Sequence, residues 1–385
     1  MTDQFSMRRS RLALVLIAVA LAPALIAQTA YFPAAGAWER RAPADAGMDT
    51  AKLREAVRWA QTHGSRWDFE KDQVRVFGRV LGPLPPKRAA TNGLILRRGY
   101  IVAEFGDTRA NDPVYSVAKS FLSTTASVAF AKELIRSVEE RVGASVRDGG
   151  YDSPQNAPVT WKHHLQQESE WEGEMFGKRS DFAGREEFGA GERKLRTLQA
   201  PGTYYEYNDV RINRFALSLA RVFGRGLPEV LKESIMDPIG ASGEWRWHGY
   251  GKVSTVEIGG KQVESVSGGT RWGGGIWMNS EDLARFGLLI LNRGRWNGRQ
   301  LVEEQWIREA TTPSAHGPNY GYLWWLNTDR KRWPSAPATS FAAIGAGNNL
   351  IWIDPEHEIV LIWRWHESGA PVDGMIQRIL ASIKQ

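Results

Sequence analysis

Ser116 and Lys119 are the two residues whose types and spacing best suit chemistry; they form the only Ser-x-x-Lys of the chain. Pro113 stands just before them, and an alanine-rich run without Gly or Pro, Ser120 to Ile135, follows. That pattern predicts a helix whose first turn carries Ser116. There a hydroxyl lies near unpaired backbone N–H groups and the positive end of the helix dipole. Lys119, three residues on, shares its face. A serine beside a lysine in such a place can attack a carbonyl. The tetrapeptide alone is expected about once by chance in a chain of this length. The rest of the sequence must therefore supply a proton acceptor, an oxyanion hole and an open face.

Lys119 is one candidate acceptor, but a free lysine is protonated at neutral pH and needs perturbation or help. Tyr207 is the best helper, in the run Tyr204-Tyr205-Glu206-Tyr207-Asn208-Asp209 that follows the turn Pro201-Gly202. An ammonium nearby favours the phenolate form of a tyrosine. The plain alternative for Tyr207 is a core aromatic at a helix start. His163 and His164 could also serve a serine, or could simply be satisfied locally. No Gly-x-Ser-x-Gly occurs, so a nucleophile elbow of the α/β-hydrolase kind is excluded. His163-His164 with the carboxylates at 168–174 is the only cluster of metal-ligand types, and it fits no zinc spacing. No metal and no cofactor are expected.

The elements that must position these residues read as follows. Asp49-Thr50 caps a helix with Leu53, Ala56, Val57 and Ala60 at helical spacing. Residues 64–91 read as irregular. Leu94–Leu96 and Tyr100–Phe105 flank Arg97-Arg98-Gly99 and predict a β-hairpin. Beyond the Ser116 helix the pattern is helical and loop-rich to about residue 250. Trp161–Gln167 reads as a short helix, Glu168–Gly173 as a polar loop, 177–200 as a charged, Gly-rich surface loop, Val210–Phe223 and Pro228–Met236 as helices. Strand character returns from about 251. Val253–Ile258 and Lys261–Val266 flank Gly259-Gly260, and Asn279 or Ser280 caps an amphipathic helix through Leu291. Tyr320–Leu326 reads as a strand, Asn349–Ile353 and Ile359–Trp365 as a hairpin, Met375–Ile383 as a C-terminal helix. Strand-rich ends enclosing a helical middle give an α+β class. The expected parts are a signal or anchor (1–30), a linker (31–47), an α/β part (48–119 with 251–385) and a mainly helical part (120–250).

Composition narrows the function. With 385 residues, 42% hydrophobic and 24% charged, the chain can bury a large core. The net charge of +6 is spread without a long basic run, which gives nucleic-acid binding no support. The chain has no cysteine, which excludes disulfides, thiolate metal sites and a Cys nucleophile. It has 17 tryptophans, and some could wall a ligand site; Trp171 is the candidate, with a loop anchor as its alternative. Arg8-Arg9-Ser10-Arg11 before the apolar run Leu12–Ala27 reads as an export signal, or else as an uncleaved membrane anchor. An exported, periplasmic or extracellular protein is expected. The sequence does not fix an oligomeric state.

Three motifs in order carry a resemblance: Ser116-Val117-Ala118-Lys119, Tyr207-Asn208-Asp209 and Ala343-Ile344-Gly345-Ala346-Gly347. Together the chain resembles serine β-lactamases and penicillin-binding proteins. It is most similar to the class C branch and its relatives, esterases and 6-aminohexanoate-dimer hydrolases. Pro201-Gly202-Thr203, Asp282–Gly287 and Asp354-Pro355-Glu356 are also similar. The resemblance implies an antiparallel sheet flanked by helices plus a helical domain, with Ser116 as nucleophile. It further implies oxyanion donors in the N–H groups of Ser116 and Ala346, and Gly345 lining the substrate. Asp209 stands where the family usually has Asn, so a carboxylate would hold Lys119 charged and leave Tyr207 as the proton carrier. Ala343-Ile344 replaces the family's usual cation and hydroxyl, which normally hold a carboxylate. The expected substrate is therefore a small ester or amide rather than a β-lactam. A cell-wall peptide carboxypeptidase and a non-catalytic ligand-binding sensor are the alternatives.

Overall fold

The computed structural model describes residues 31–77, 80–180, 196–269 and 274–384. The expected export signal and most of the 177–200 loop lie outside them. Among the described residues no helix is long and apolar enough to cross a membrane.

Helix α1, Thr50–Thr62, starts where Asp49 accepts from the Ala51 and Lys52 amides. A second helix, α2 (Phe69–Phe77), occupies part of the stretch expected to be irregular. The hairpin of β1 (Asn92–Arg97) and β2 (Tyr100–Phe105) turns through Arg98 and Gly99, both at positive φ. The short strand β3 (Asp112–Pro113) and a single 3₁₀ turn, Tyr115–Val117, lead into α3 (Ala118–Ala131). In the middle of the chain come α4 (Trp161–Leu165), α5 (Asp209–Phe223) and α6 (Leu227–Leu231). Then follow β4 (Arg246–His248), β5 (Gly275–Met278) and α7 (Ser280–Leu291), the last capped by Asn279. The chain closes with β6 (Trp325–Leu326), β7 (Phe341–Gly345), β8 (Asn349–Asp354), β9 (Ile359–Arg364) and α8 (Ala370–Ala381).

Six strands form one antiparallel sheet in the order β6-β7-β8-β9-β1-β2, so both ends of the chain build it. Strands β1, β8 and β9 are buried on both faces, which is why they read as near-continuous apolar runs. Alternation sorts them. Ile95, Leu350, Trp352, Leu361 and Trp363 pack with α1 and α8. Leu94, Ile351, Ile353, Val360 and Ile362 face α7 and the helical part. A separate sheet in the order β3-β5-β4 holds the chain just before Ser116.

Three expectations change. The 31–47 segment, a linker by composition, is docked on the main unit. The buried Trp38 indole donates to Gly99 O, and Arg285 donates to the carbonyls of Pro33, Ala34 and Ala37. The strand expected over Tyr320–Leu326 is only two residues long, because Leu323 at φ 62° breaks the extended run. Glu168–Gly173 is no exposed loop: Glu168, Ser169, Glu170 and Trp171 are all buried.

Candidate active site

The nucleophile candidate is singled out by burial. From Asp112 to Ala129 every residue is buried except Ser116. Val114 N donates to Ile276 O, and Tyr115 follows at φ 50°, a conformation rare for a bulky residue. Tyr115 is locked there by burial and by its hydroxyl, which donates to Gln73 Oε1. The sharp turn lifts Ser116 out of a packed run. Such strain persists only where the surroundings over-determine it.

Lys119 lies one turn below. Its side chain is 1% exposed and its Nζ meets three acceptors: Ser116 Oγ at 2.9 Å, Gly269 O at 3.0 Å and Asp209 Oδ1 at 2.7 Å. Ser116 Oγ and Gly269 O accept hydrogen bonds from it, and Asp209 pairs with it by charge. The Asp209 side chain is only 6% exposed, so the two form a buried ion pair. The same Nζ sits 4.7 Å from the centroid of the Tyr207 ring. Three segments far apart in sequence, at 116–119, 207–209 and 269, thus meet at one ammonium.

Asn208 sets Tyr207 and Asp209. Its side chain caps α5 by accepting from Val210 N and Arg211 N, and its own amide donates to Gln167 Oε1. Glu206, just before, is tied to Arg196 and Arg211, and both of these arginines also hold Glu170. This four-charge network pins the Tyr207 loop to the buried Glu168–Trp171 segment. The arginines pull the Glu170 carboxyl below its usual range against the opposing effect of burial. Tyr207 stacks on Trp325 at 5.4 Å between centroids and meets Tyr320 edge-on. Arg332 lies 4.3 Å from the centroid of the Trp325 ring.

Gly345 ends β7 against this turn. A Cβ there would stand 2.1 Å from Val114 O and 3.1 Å from Ser116 N, so only glycine permits the approach. Gly345 thus packs directly against the serine turn, and Ala346 is the next residue along the chain. Gly269 is equally tight: a Cβ would meet Asp209 O at 2.2 Å.

Of the residues singled out by sequence, Ser116, Lys119, Tyr207, Asp209 and Gly345 come together, and Ala346 follows Gly345 in the chain. Trp171 does not serve as an open wall. It is 4% exposed, donates from Nε1 to Gly150 O at 2.7 Å, and lies under Arg214; it anchors its loop. His164 is buried against Tyr151, and burial holds its imidazole well below the usual value. His163 closes the capping box of α4. Among the described residues no group of His, Cys, Asp and Glu could hold a metal ion. Sequence reasoning missed Gly269, whose carbonyl carries no side-chain signal. It also missed Trp325 and Arg332, which look like core or surface in the sequence.

An antiparallel sheet built from both chain ends, with a serine turn packed against its β7 strand, defines the β-lactamase/transpeptidase-like fold. The sequence profile described as "Beta-lactamase" matches residues 94–381, and the chain belongs to that family. Solved structures agree on the fold. A novel penicillin-binding protein homologue from Caulobacter crescentus aligns with a TM-score of 0.58 at 13% identity, over 86% of this chain and 97% of its own. A family VIII carboxylesterase aligns with a TM-score of 0.56 at 13% identity, over 87% and 99%. EstCE1, described as a hydrolase with promiscuous acyltransferase activity, aligns with a TM-score of 0.56 at 12% identity, over 87% and 99%. No curated protein matches the sequence.

Proposed function

We propose that the chain is a serine hydrolase that cleaves a small ester or amide through an acyl-enzyme on Ser116. One observation carries this reading: Lys119 Nζ donates to Ser116 Oγ and to Gly269 O and is paired by charge with the buried Asp209. A lysine so placed suits an electrostatic role toward Ser116 better than a proton-accepting one. The Ser116 proton must then leave toward another acceptor, and Tyr207, with its ring over the same ammonium, is the neighbour of the right chemistry. In this scheme Ser116 Oγ attacks the carbonyl carbon as its proton passes to the Tyr207 phenolate. The oxyanion is met by the Ser116 and Ala346 amides. Collapse breaks the bond to the leaving alcohol or amine, which takes the proton from Tyr207. Water enters by the same route and releases the acid. Losing one oxyanion donor costs on the order of 10²–10³ in rate.

Ala343-Ile344 offers neither cation nor hydroxyl beside Gly345, which weighs against substrates held there by a carboxylate. The likeness to a carboxylesterase and to EstCE1 supports esters as the first class to test. Export is proposed as well, from the basic and then apolar N-terminus. Fractionation with a mass measurement of the mature chain checks it.

The test is labelling with a fluorophosphonate, followed by a panel of p-nitrophenyl esters, 6-aminohexanoate oligomers, D-amino amides and a chromogenic cephalosporin. Labelling of wild type at Ser116, and loss of both labelling and turnover in Ser116→Ala, are expected. Folded wild type that takes no label and turns over nothing overturns the enzyme reading. Rapid acylation by a penicillin would replace it with a cell-wall one.

A further inference from the structure

The two amides assigned to the oxyanion hole belong to different sheets. Ser116 follows β3, which pairs only with β5 of the small sheet: Asp112 faces Met278 and Pro113 faces Trp277. Ala346 follows β7 of the six-stranded sheet. Among the described residues no strand ladder joins the two sheets, so their spacing must be set by something else. Contact at Gly345 limits how close they come but not how far they slip.

Arg364 spans the gap. It lies at the end of β9, is fully buried, and donates in four directions. Nη1 reaches Met278 O at 2.6 Å on β5. Nη2 reaches Asp112 O and Pro113 O, each at 3.0 Å, on β3. Nε reaches Asn349 Oδ1 at 2.9 Å on β8. Asn349 then donates from Nδ2 to Ala346 O at 2.8 Å. A single chain of hydrogen bonds therefore runs from Pro113, three residues before Ser116, through the guanidinium and the Asn349 amide to Ala346. The guanidinium's fixed fork suits it to hold several carbonyls in one plane. Burial pushes Arg364 down to about 10, which leaves it charged at neutral pH. The Asp112 carboxylate balances that charge from nearby, itself held by Trp365 Nε1 and Ala89 N.

We propose that Arg364 and Asn349 are positioning residues that set the distance and angle between the Ser116 and Ala346 amides. This rests on the serine-hydrolase reading above. Neither side chain meets substrate. They act on how well the hole fits a tetrahedral oxyanion, not on how well the ground state binds. A displacement of about 1 Å can cost on the order of 10² in rate.

Asn349→Asp separates this from a merely structural role. The carboxylate can still pair with Arg364, so the joint stays charged and paired, but it has no donor for Ala346 O. The experiment compares wild type, Asn349→Asp, Asn349→Ala and Arg364→Met on a p-nitrophenyl ester, with rates per active site titrated by fluorophosphonate. A boronic acid that forms a tetrahedral adduct on serine is the second probe. Expected for Asn349→Asp is a kcat lower by about 10–100-fold. KM should change less than about threefold, and the boronate inhibition constant should rise in parallel with the loss of kcat. Arg364→Met is expected to lose both activity and stability; should it fail to fold, the Asn349 variants decide. Wild-type kcat per titrated site and unchanged boronate affinity in Asn349→Asp overturn the proposal while leaving the hydrolase reading intact. A wild type that neither labels nor turns over ester overturns both.

Discussion

Lys119 and Asp209 bury a positive and a negative charge together, and this decides what each single substitution does. Taking two charges out of water is costly, and removing one partner leaves the other uncompensated, typically at about 3–5 kcal/mol. Lys119→Met should therefore destabilise the fold by about that much, read as a shift of the urea midpoint, and abolish turnover. Asp209→Asn keeps an oxygen that can accept from Nζ and should cost less. The double variant should be more stable than Lys119→Met alone, because no lone carboxylate remains. If the two effects simply add, the pair is not coupled and the ion-pair account fails. Tyr207→Phe asks a different question. The ring keeps its stack on Trp325 and its edge contact with Tyr320, so stability should hold, while the proposed role of Tyr207 as proton carrier predicts a fall in kcat of about 10²–10⁴. Unchanged kcat in that variant would return the base role to Lys119. Residue types offered the two motifs that meet here only as candidates, and it was their joint order, in the resemblance, that singled them out. Their shared partner Gly269 O was not legible, because a backbone carbonyl leaves no mark in a sequence.

Elements with regular apolar spacing or a clear capping residue were the easiest to read. The β1–β2 and β8–β9 hairpins, α1, α5 and α7 all lie where apolar spacing and capping residues put them. What failed did so for identifiable reasons. The segment around Glu170 looks solvated because it is charged, yet its partners Arg196 and Arg211 lie 26 and 41 residues away and allow it to be buried. Trp171 was misread with it. Helix α2 was hidden by the proline-rich stretch that follows, and the 31–47 segment by a composition that says nothing of docking. The β7 strand shows how an element can be readable while its constraint is not. Its glycine was visible as a motif, but the need for it comes from Val114 O standing where a Cβ would be. Both sides of that contact are backbone, so neither can rotate away. Gly345→Ala should push β7 from the serine turn, lower the melting temperature and reduce kcat by at least about 10²-fold, as a 1 Å misplacement would. A variant with wild-type kcat would show that the two segments can part without harm.

Across the whole unit, several imidazoles are held neutral by burial, and this couples stability to pH. His366 is pushed down to about 4, with burial the main cause and its bond to Glu367 O opposing it. His164 lies well below its usual value, and His163 and His248 are lowered too, all chiefly by burial. Unfolding restores an ordinary imidazole near 6.5, so between about 6.5 and 4 the unfolded chain binds more protons than the folded one. Stability is therefore full above about pH 6.5 and falls as the pH drops toward 4. His366 alone should cost about 2 kcal/mol at pH 5 relative to neutral pH. Carboxylates held low by arginines, Glu170 and Asp148, add to the fall only at the acid end of this window, since their loss begins near the unfolded carboxylate value. Asp282, raised by burial, acts in the opposite sense but is a single group. His366 N donates to Asn348 O, in the turn that carries Ala346, so acid should loosen the oxyanion side of the site before the rest. Urea unfolding at pH 7.5 and pH 5 measures the slope, and His366→Gln should flatten it by about the His366 share. A wild type equally stable at both values, or a variant with the same slope, would mean that these imidazoles find water or a proton partner within the fold.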